Sequence, residues 1–342
     1  MKFISLLSTV WLVLASLAIA EPSDREEAIA FKKVAKLQQQ YQKNIHKIIK
    51  QRTTGCTNKK LLRRQECLPP RQLHLNNTFI RIPGARSRYD DFVGVQVLQT
   101  HFVHNDGLFL PFHRQSIALY EKALRGECGY ADWSLSYKRY PQGQPSLTGP
   151  LCITLPGGGA LNFPPATGGG CVYSGPFTPD KFKIYLGPTG LTPKGPLDGL
   201  GYNPRCLSRD SSLQYSLYAR PTNASGLIDG SEDLAAFNKA LDTSPKGLHG
   251  AGYFMMGLVA MDVFTCSNDP AFWLHHAQVD RMWAIWQGQD LEGRMRQVWG
   301  TQTQGNVPPS ANVTLETQIN FGVVSAPKTV GEVVSTVDGD LC

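Results

Sequence analysis

Apolar residues recur at intervals of three and four along several stretches of the chain, the spacing that one face of an α-helix requires. The first stretch follows a capping box from Ser23 to Glu26, a typical helix start. The last stretch is strongly aromatic and contains three tryptophans. Together the pattern predicts helices over 29–49, 90–103, 108–124, 226–242 and 270–287.

The order of these helices predicts the fold class. Helices 90–103 and 108–124 form one pair, and a helix that begins at His249 forms a second pair with 270–287. Two separated helix pairs favour a mainly α protein with a four-helix-bundle core. Loops are expected to lie over that core.

Two regions depart from the helical pattern. Residues 140–230 contain clusters of glycine and proline, which are typical of loops, and we expect a long ordered excursion pinned by disulfides. The tail is rich in valine and threonine and is expected to add short strands. The predicted boundaries are a signal peptide at 1–20, an N-terminal helix and basic loop at 21–75, a main domain at 76–299 and a C-terminal tail at 300–342.

The first twenty residues predict export. A lysine at position 2, an apolar run and the small-residue motif ending at Ala20 form a signal peptide. A membrane anchor is the alternative, but the run is short and no stop-transfer charges follow. A secreted chain with eight cysteines favours disulfides over thiolate metal sites, with Cys56 and Cys67 as the simplest pair. Asn76, Asn223 and Asn312 begin N-glycosylation sequons, which predicts a glycoprotein.

The net charge of +7 does not indicate a charged partner. The basic residues cluster in 32–64, where they fit the solvated side of a helix and a loop. No nucleic-acid-binding motif occurs, and no later segment is apolar enough to span a bilayer. We therefore expect neither nucleic acid nor membrane among the partners.

Histidines carry the candidate chemistry. His104 and His113 lie nine residues apart around an apolar run, and His249 and His276 lie in a second, distant segment. Neutral imidazoles are preferred ligands of copper, zinc, iron and nickel, so two His pairs brought together by a helical fold predict a two-metal site. Adjacent helical side chains point about 100° apart, so only one of His275 and His276 can face that site. The alternative is that these are ordinary core or surface histidines.

The motifs around these histidines resemble those of a known family. The first is His104-x4-Phe109-Leu-Pro-Phe-His113-Arg114 with Glu121 after it, and the second is Asp269-Pro-x-Phe272-Trp-x-x-His276-x3-Asp280. They resemble the two copper signatures of the tyrosinase and catechol oxidase family. Shorter motifs near 89–92, 127–130, 168–171, 203–206 and 247–252 are similar to its short secreted fungal branch. The resemblance covers residues 85–290 and implies a type-3 copper fold.

The resemblance also implies a ligand set, which this chain keeps in part. Two ligands of one copper fall on His104 and His113, and two of the other fall on His249 and His276. The remaining two positions fall on Gln96 and Tyr253. Two substitute ligands are conceivable: His101 could replace Gln96, or the Tyr253 phenolate could bind copper. A further departure is the segment 129–133, which is shorter than in the family.

Three functions remain open at this point. The first is a secreted copper oxidoreductase with two copper ions that uses O₂ to oxidise a small phenol or o-diphenol in fungal pigment or secondary metabolism. Gly250, which follows His249 and cannot orient a water, favours diphenols over monophenols. The second is a non-catalytic relative that binds an aromatic compound. The third is an enzyme with a mononuclear or altered metal site.

Overall fold

The computed structural model describes residues 23–51, 82–127, 169–191 and 193–336, and this part of the chain is mainly helical. Its α-helices, in chain order, are α1 (Asp24–Gln51), α2 (Arg88–Gln99), α3 (Phe109–Gly126), α4 (Leu213–Ser216), α5 (Pro221–Gly230), α6 (Leu234–Leu241), α7 (Leu248–Met256), α8 (Ala271–Gln287), α9 (Leu291–Arg294) and α10 (Val330–Val333). The predicted fold class, mainly α with loops over a helical core, is confirmed.

The strands are short and pair locally. β1 (Gly170–Cys171) pairs antiparallel with β2 (Ser208–Arg209), and β3 (Gln318–Ile319) pairs antiparallel with β4 (Lys328–Thr329). A disulfide between Cys171 and Cys206 ties the β1–β2 ladder together. The excursion between the two helix pairs, described from residue 169 onward, is pinned by this disulfide, and the tail adds strands, both as the sequence predicts. Cys266 is a buried free thiol, so the expectation of disulfides is wrong at this cysteine.

Helices α2, α3, α7 and α8 surround the core. Trp273 of α8 stacks on Tyr120 of α3, with ring centroids 4.1 Å apart, and meets Phe92 of α2 edge to face at 5.6 Å. Offset-stacked and edge-to-face aromatic pairs contribute about 0.5–1.5 kcal/mol beyond their buried area. This aromatic cluster fixes α2 and α3 against α8, and α3 and α8 carry most of the two motifs.

A buried ion pair joins α3 to α8 on the other side of the core. The Arg114 side chain is fully buried and donates to Asp280 at 2.5 Å and to Gln287 at 3.0 Å. Its guanidinium lies 3.6 Å from the centroid of the Trp283 ring. It also donates to the carbonyl of Val334, just after α10, so one side chain joins three elements.

Two helix boundaries differ from the predictions, for local reasons. Helix α2 ends at Gln99, and residues Thr100–Phe102 form a 3₁₀ turn. The stretch 226–242 divides into α5 and α6, because Ser231 ends the first helix in extended backbone and Asp233 caps the second by accepting from the Ala236 amide at 2.8 Å. Caps of this kind outweigh a continuous apolar spacing.

Several predictions fall on residues outside the described ranges. These are the signal peptide, the basic loop with Cys56 and Cys67, the Asn76 sequon and the short segment 129–133, and they stay predictions. Of the described sequons, Asn312 is exposed, whereas the Asn223 side chain is partly buried and donates to the Tyr218 carbonyl at 2.7 Å. None of the described helices has both the length and the apolar character needed to cross a bilayer.

Candidate metal centre

Four histidines from distant parts of the sequence converge in the bundle core. His104 precedes α3, His113 lies on α3, His249 begins α7 and His276 lies on α8, and each is at most 4% exposed. Ring centroids are 5.3 Å apart for His104 and His113, and 5.1 Å apart for His249 and His276. The rings of His113 and His276 stack in parallel at 4.0 Å, which joins the two pairs.

The Phe109 ring lies among these imidazoles. Its centroid is 4.6 Å from that of His249, 5.0 Å from that of His113, and 6.3 and 6.2 Å from those of His104 and His276. Phe109 is fully buried. A rigid apolar ring in contact with all four histidines fixes their spacing and keeps water from one side of the cluster.

Hydrogen bonds fix the tautomers of three of the four rings. Nδ1 of His104 donates to the Thr100 carbonyl at 2.9 Å, and Nδ1 of His113 donates to the Phe109 carbonyl at 2.8 Å. Nδ1 of His249 donates to the Asp242 carboxylate at 2.6 Å. Each of these rings therefore presents Nε2 as an unprotonated nitrogen, the form in which imidazole binds metals.

The four distal nitrogens have different surroundings. Nε2 of His113 and Nε2 of His249 are buried and have no hydrogen-bond partner. Nε2 of His104 lies 3.1 Å from the amide nitrogen of Gln96, which donates to it. Nε2 of His276 lies 2.5 Å from the hydroxyl of Tyr253. The residues at the two substituted positions thus occupy a nitrogen on one histidine of each pair.

His275 and His101 lie outside this cluster of four. Nε2 of His275 donates to the carbonyl of His249 at 2.9 Å, and its ring packs against Gly252, where a Cβ would come within 2.3 Å of it. The prediction that one of the adjacent histidines is a hydrogen-bonded core residue is therefore confirmed. His101 is exposed and contacts Phe264 at a ring distance of 5.2 Å, so it does not replace Gln96.

Sequence reasoning missed Asp242. The residue stands seven positions before His249, outside both motifs, and no local pattern indicates its contact. It follows α6, and the chain turns between α6 and α7 so that its side chain meets the His249 ring. Its carboxyl group is the acidic partner of the cluster. Burial opposes its ionisation, but the His249 and His104 rings and the Asn105 amide together outweigh burial and lower its pKa.

Burial keeps His104, His113, His275 and His276 neutral well below pH 7. It lowers the pKa of His104 to about 4 and that of His275 to about 3, and it lowers the pKa values of His113 and His276 well below the usual range. Neighbouring imidazoles add to the effect, since protonating one disfavours protonating the next. Neutral imidazole is the ligating form, so His104, His113 and His276 stay competent to bind a metal in mildly acidic solution.

These pKa values predict acid destabilisation of the metal-free protein. A histidine with a pKa of 6.5 in the unfolded chain and about 4 in the folded protein contributes stability that is complete above pH 6.5 and falls as the pH drops toward 4. At pH 5 the loss is about 2 kcal/mol for each such residue. Denaturant unfolding at pH 7, 6 and 5 should show a steady fall in the free energy of unfolding.

His275→Gln provides the matched control for this prediction. It removes one buried titrating ring that belongs to neither His pair, so about 2 kcal/mol of the difference between pH 7 and pH 5 should disappear. A free energy of unfolding that stays constant from pH 7 to pH 5 in the parent protein would contradict the buried neutral assignment.

The donor set fits copper in part. Two imidazoles that bind one metal ion through nitrogens about 2 Å away have ring centres about 5 Å apart at a tetrahedral angle. The separations within the pairs His104–His113 and His249–His276 match that spacing. The two unpartnered Nε2 atoms, on His113 and His249, are buried polar atoms that a metal ion would satisfy.

The described residues do not supply three imidazoles for each metal ion. Among the described residues, no three side chains of His, Cys, Asp or Glu are grouped so that they could hold one ion. Gln96 and Tyr253 stand where the resemblance places the third imidazole of each half. The residues therefore fit a metal pair with two imidazoles each.

Comparison with known proteins identifies the family of this chain. Residues 86–289 match the common central domain of tyrosinase. Tyrosinase P of Aspergillus terreus is 34% identical over 291 residues, with 76% of this chain and 81% of that protein covered. N-acetyl-6-hydroxytryptophan oxidase of Emericella nidulans is 35% identical over 303 residues, with the same coverage.

A solved structure shares the fold of this chain. A polyphenol oxidase mutant from Thermothelomyces thermophila superposes with a TM-score of 0.71 at 32% identity, covering 91% of this chain and 97% of that one. Sequence and structure comparisons thus agree over most of the chain. The chain belongs to the tyrosinase family, whose domain implies a dicopper centre.

Proposed function

We propose that the protein is a copper oxidoreductase that oxidises a small phenolic or o-diphenolic compound with O₂. His104 and His113 would hold one copper ion, and His249 and His276 the other. The observation that carries the proposal is the convergence of these four buried imidazoles, with Nε2 of His113 and Nε2 of His249 unpartnered. Buried polar atoms without partners are rare unless a ligand or ion satisfies them.

Bound copper supplies the capacity to react with O₂ and to accept electrons from a phenol. The chain itself fixes the imidazole tautomers through Thr100, Phe109 and Asp242, so the ligands need not rearrange their protons. Phe109 excludes water from the cluster. Ion-pair and aromatic contacts between α3 and α8 hold the two halves at a constant separation.

The substrate class follows from similarity and from one residue of this chain. The relatives include an oxidase that acts, by its name, on a hydroxylated tryptophan derivative, which supports a hydroxylated aromatic substrate in fungal pigment or secondary metabolism. Gly250 follows His249 and packs against the backbone of Ser244 and Pro245. It offers no polar group to orient a water as a base, which favours o-diphenols over monophenols. The predicted signal peptide supports secretion.

A second function is favoured by a different observation. Gln96 and Tyr253 each occupy the distal nitrogen of a histidine, so the metal-free cluster satisfies part of its own hydrogen-bonding needs. A fold kept for packing or for binding an aromatic compound would show the same contacts. The metal content of the protein separates this non-catalytic relative from the enzyme.

The experiment is to load the purified protein with copper, measure copper per chain, and record the absorption spectrum with hydrogen peroxide. We expect up to two copper ions per chain, and their loss in the single variants His113→Ala and His249→Ala. His101→Ala is the matched control, because His101 is an exposed histidine three residues before His104 and lies outside the cluster. One copper ion per chain would favour an altered mononuclear site. The absence of bound copper would favour the non-catalytic relative.

A further inference from the structure

Asp242 touches both halves of the candidate metal centre. One carboxylate oxygen, Oδ1, accepts from Nδ1 of His249 at 2.6 Å. The other, Oδ2, accepts from the backbone N–H of Asn105 at 3.2 Å, and Asn105 directly follows His104. The side chain is 13% exposed and that of His249 is 5% exposed. A single carboxylate thus links a histidine of the second pair to the loop that carries a histidine of the first.

The contact with His249 differs from those of the other fixed histidines. His104 and His113 donate to backbone carbonyls four residues earlier, so local backbone geometry sets their tautomers. His249 has no such carbonyl and depends on a side chain from the preceding helix. A carboxylate on the far nitrogen orients a ligand imidazole and increases its basicity. Among the three histidines with fixed tautomers, His249 is therefore the one whose tautomer a single substitution can change.

The contact with Asn105 holds a strained turn. Asn105 has a φ of +49°, in the left-handed region, a conformation that is costly for a non-glycine residue. The amide of Gly305 donates to the Asn105 carbonyl at 3.1 Å, and Asp242 accepts from its N–H, so the turn is held from both sides. Loss of either hydrogen bond lets the turn relax and moves the adjacent His104.

We propose that Asp242 is a positioning residue for the whole centre: it sets the tautomer of His249 and fixes the turn that orients His104. The inference rests on the proposed function for its metal, but its contacts exist without one. Only a carboxylate can do both, because it accepts hydrogen bonds at two oxygens. An asparagine accepts at one atom and donates at the other, so it satisfies one of the two donors and opposes the second.

The test is Asp242→Asn in protein labelled with ¹⁵N in the histidine rings and in asparagine. In the parent, Nε2 of His249 should resonate as an unprotonated nitrogen. In the variant, either the His249 ring moves its proton to Nε2 or the amide signal of Asn105 shifts, because both donors can no longer be satisfied. Copper affinity should fall by about 10–100-fold, as for other supporting partners of metal-bound histidines.

Asp233→Asn is the matched control. Asp233 caps the other end of the same helix by a single accepted hydrogen bond, which an asparagine oxygen replaces at little cost. It should leave both signals and the copper affinity unchanged. A second variant combines Asp242→Asn with Asn105→Gly. It should restore the orientation of the His104 ring, because glycine adopts a positive φ without strain. It should not restore the His249 tautomer.

Unchanged His249 and Asn105 signals in Asp242→Asn would overturn the inference, whatever the copper content. The ring and amide signals require no metal, so they decide the inference even if the parent binds no copper. A parent protein that binds no copper would count against the proposed function alone. Shifted signals with normal copper affinity would also overturn it, since a positioning role must reach the metal.

Discussion

Histidine at positions 96 and 253 is expected to raise the copper content to two ions per chain and to increase catechol oxidation strongly. Gln96 is buried with its amide nitrogen 3.1 Å from Nε2 of His104, and the Tyr253 hydroxyl lies 2.5 Å from Nε2 of His276. Gln96→His with Tyr253→His removes both hydrogen bonds and adds one imidazole to each half. Direct ligands should contribute more than the 10–100-fold in affinity typical of supporting partners.

The control removes the hydrogen bonds without adding ligands. Gln96→Leu with Tyr253→Phe frees Nε2 of His104 and of His276 but supplies no imidazole. If this variant gains as much copper as the histidine variant, the hydrogen bonds and not the missing ligands limit binding. If neither variant gains copper or activity, the pocket has closed around the substituted residues, and the enzyme proposal loses its main support.

Arg114→Ala is expected to lower the free energy of unfolding by about 3–5 kcal/mol, the range for breaking a buried ion pair by removing one partner. The Asp280 side chain, only 14% exposed, would lose its cation, and Gln287 and the Val334 carbonyl would each lose a donor. Because Arg114 follows His113 and Asp280 lies one turn after His276, the two halves should also separate. Denaturant unfolding measures the first effect and copper binding the second.

Arg125→Ala on the same helix provides the comparison. Arg125 pairs with Glu121, and 39% of the Arg125 side chain is exposed, so we expect its removal to cost less than that of the fully buried Arg114. Arg114→Met with Asp280→Leu should be more stable than Arg114→Ala, because no buried charge remains unpaired. A loss in Arg114→Ala as small as that in Arg125→Ala would show that the buried pair does not hold α3 to α8.

Local spacing was sufficient to predict the helices that carry the centre. The predicted helices 108–124 and 270–287 match α3 and α8 closely, since both helices are apolar and buried over most of their length. The four histidines could be chosen from the motifs because their neighbours match them. Boundaries were less predictable: caps such as that of Asp233, which depend on single hydrogen bonds, divided one predicted helix into two.

The sequence by itself determined the fold class, the family resemblance and the absence of imidazoles at positions 96 and 253, because each depends on residue identity and short-range spacing. Only the tertiary structure decided that Gln96 and Tyr253 hydrogen-bond to His104 and His276, that His101 points away, and that Asp242 joins the two halves. Each of these contacts depends on the direction in which a side chain points or on the path of a turn between helices. Apolar periodicity records which face of a helix is buried, but not which atoms meet there.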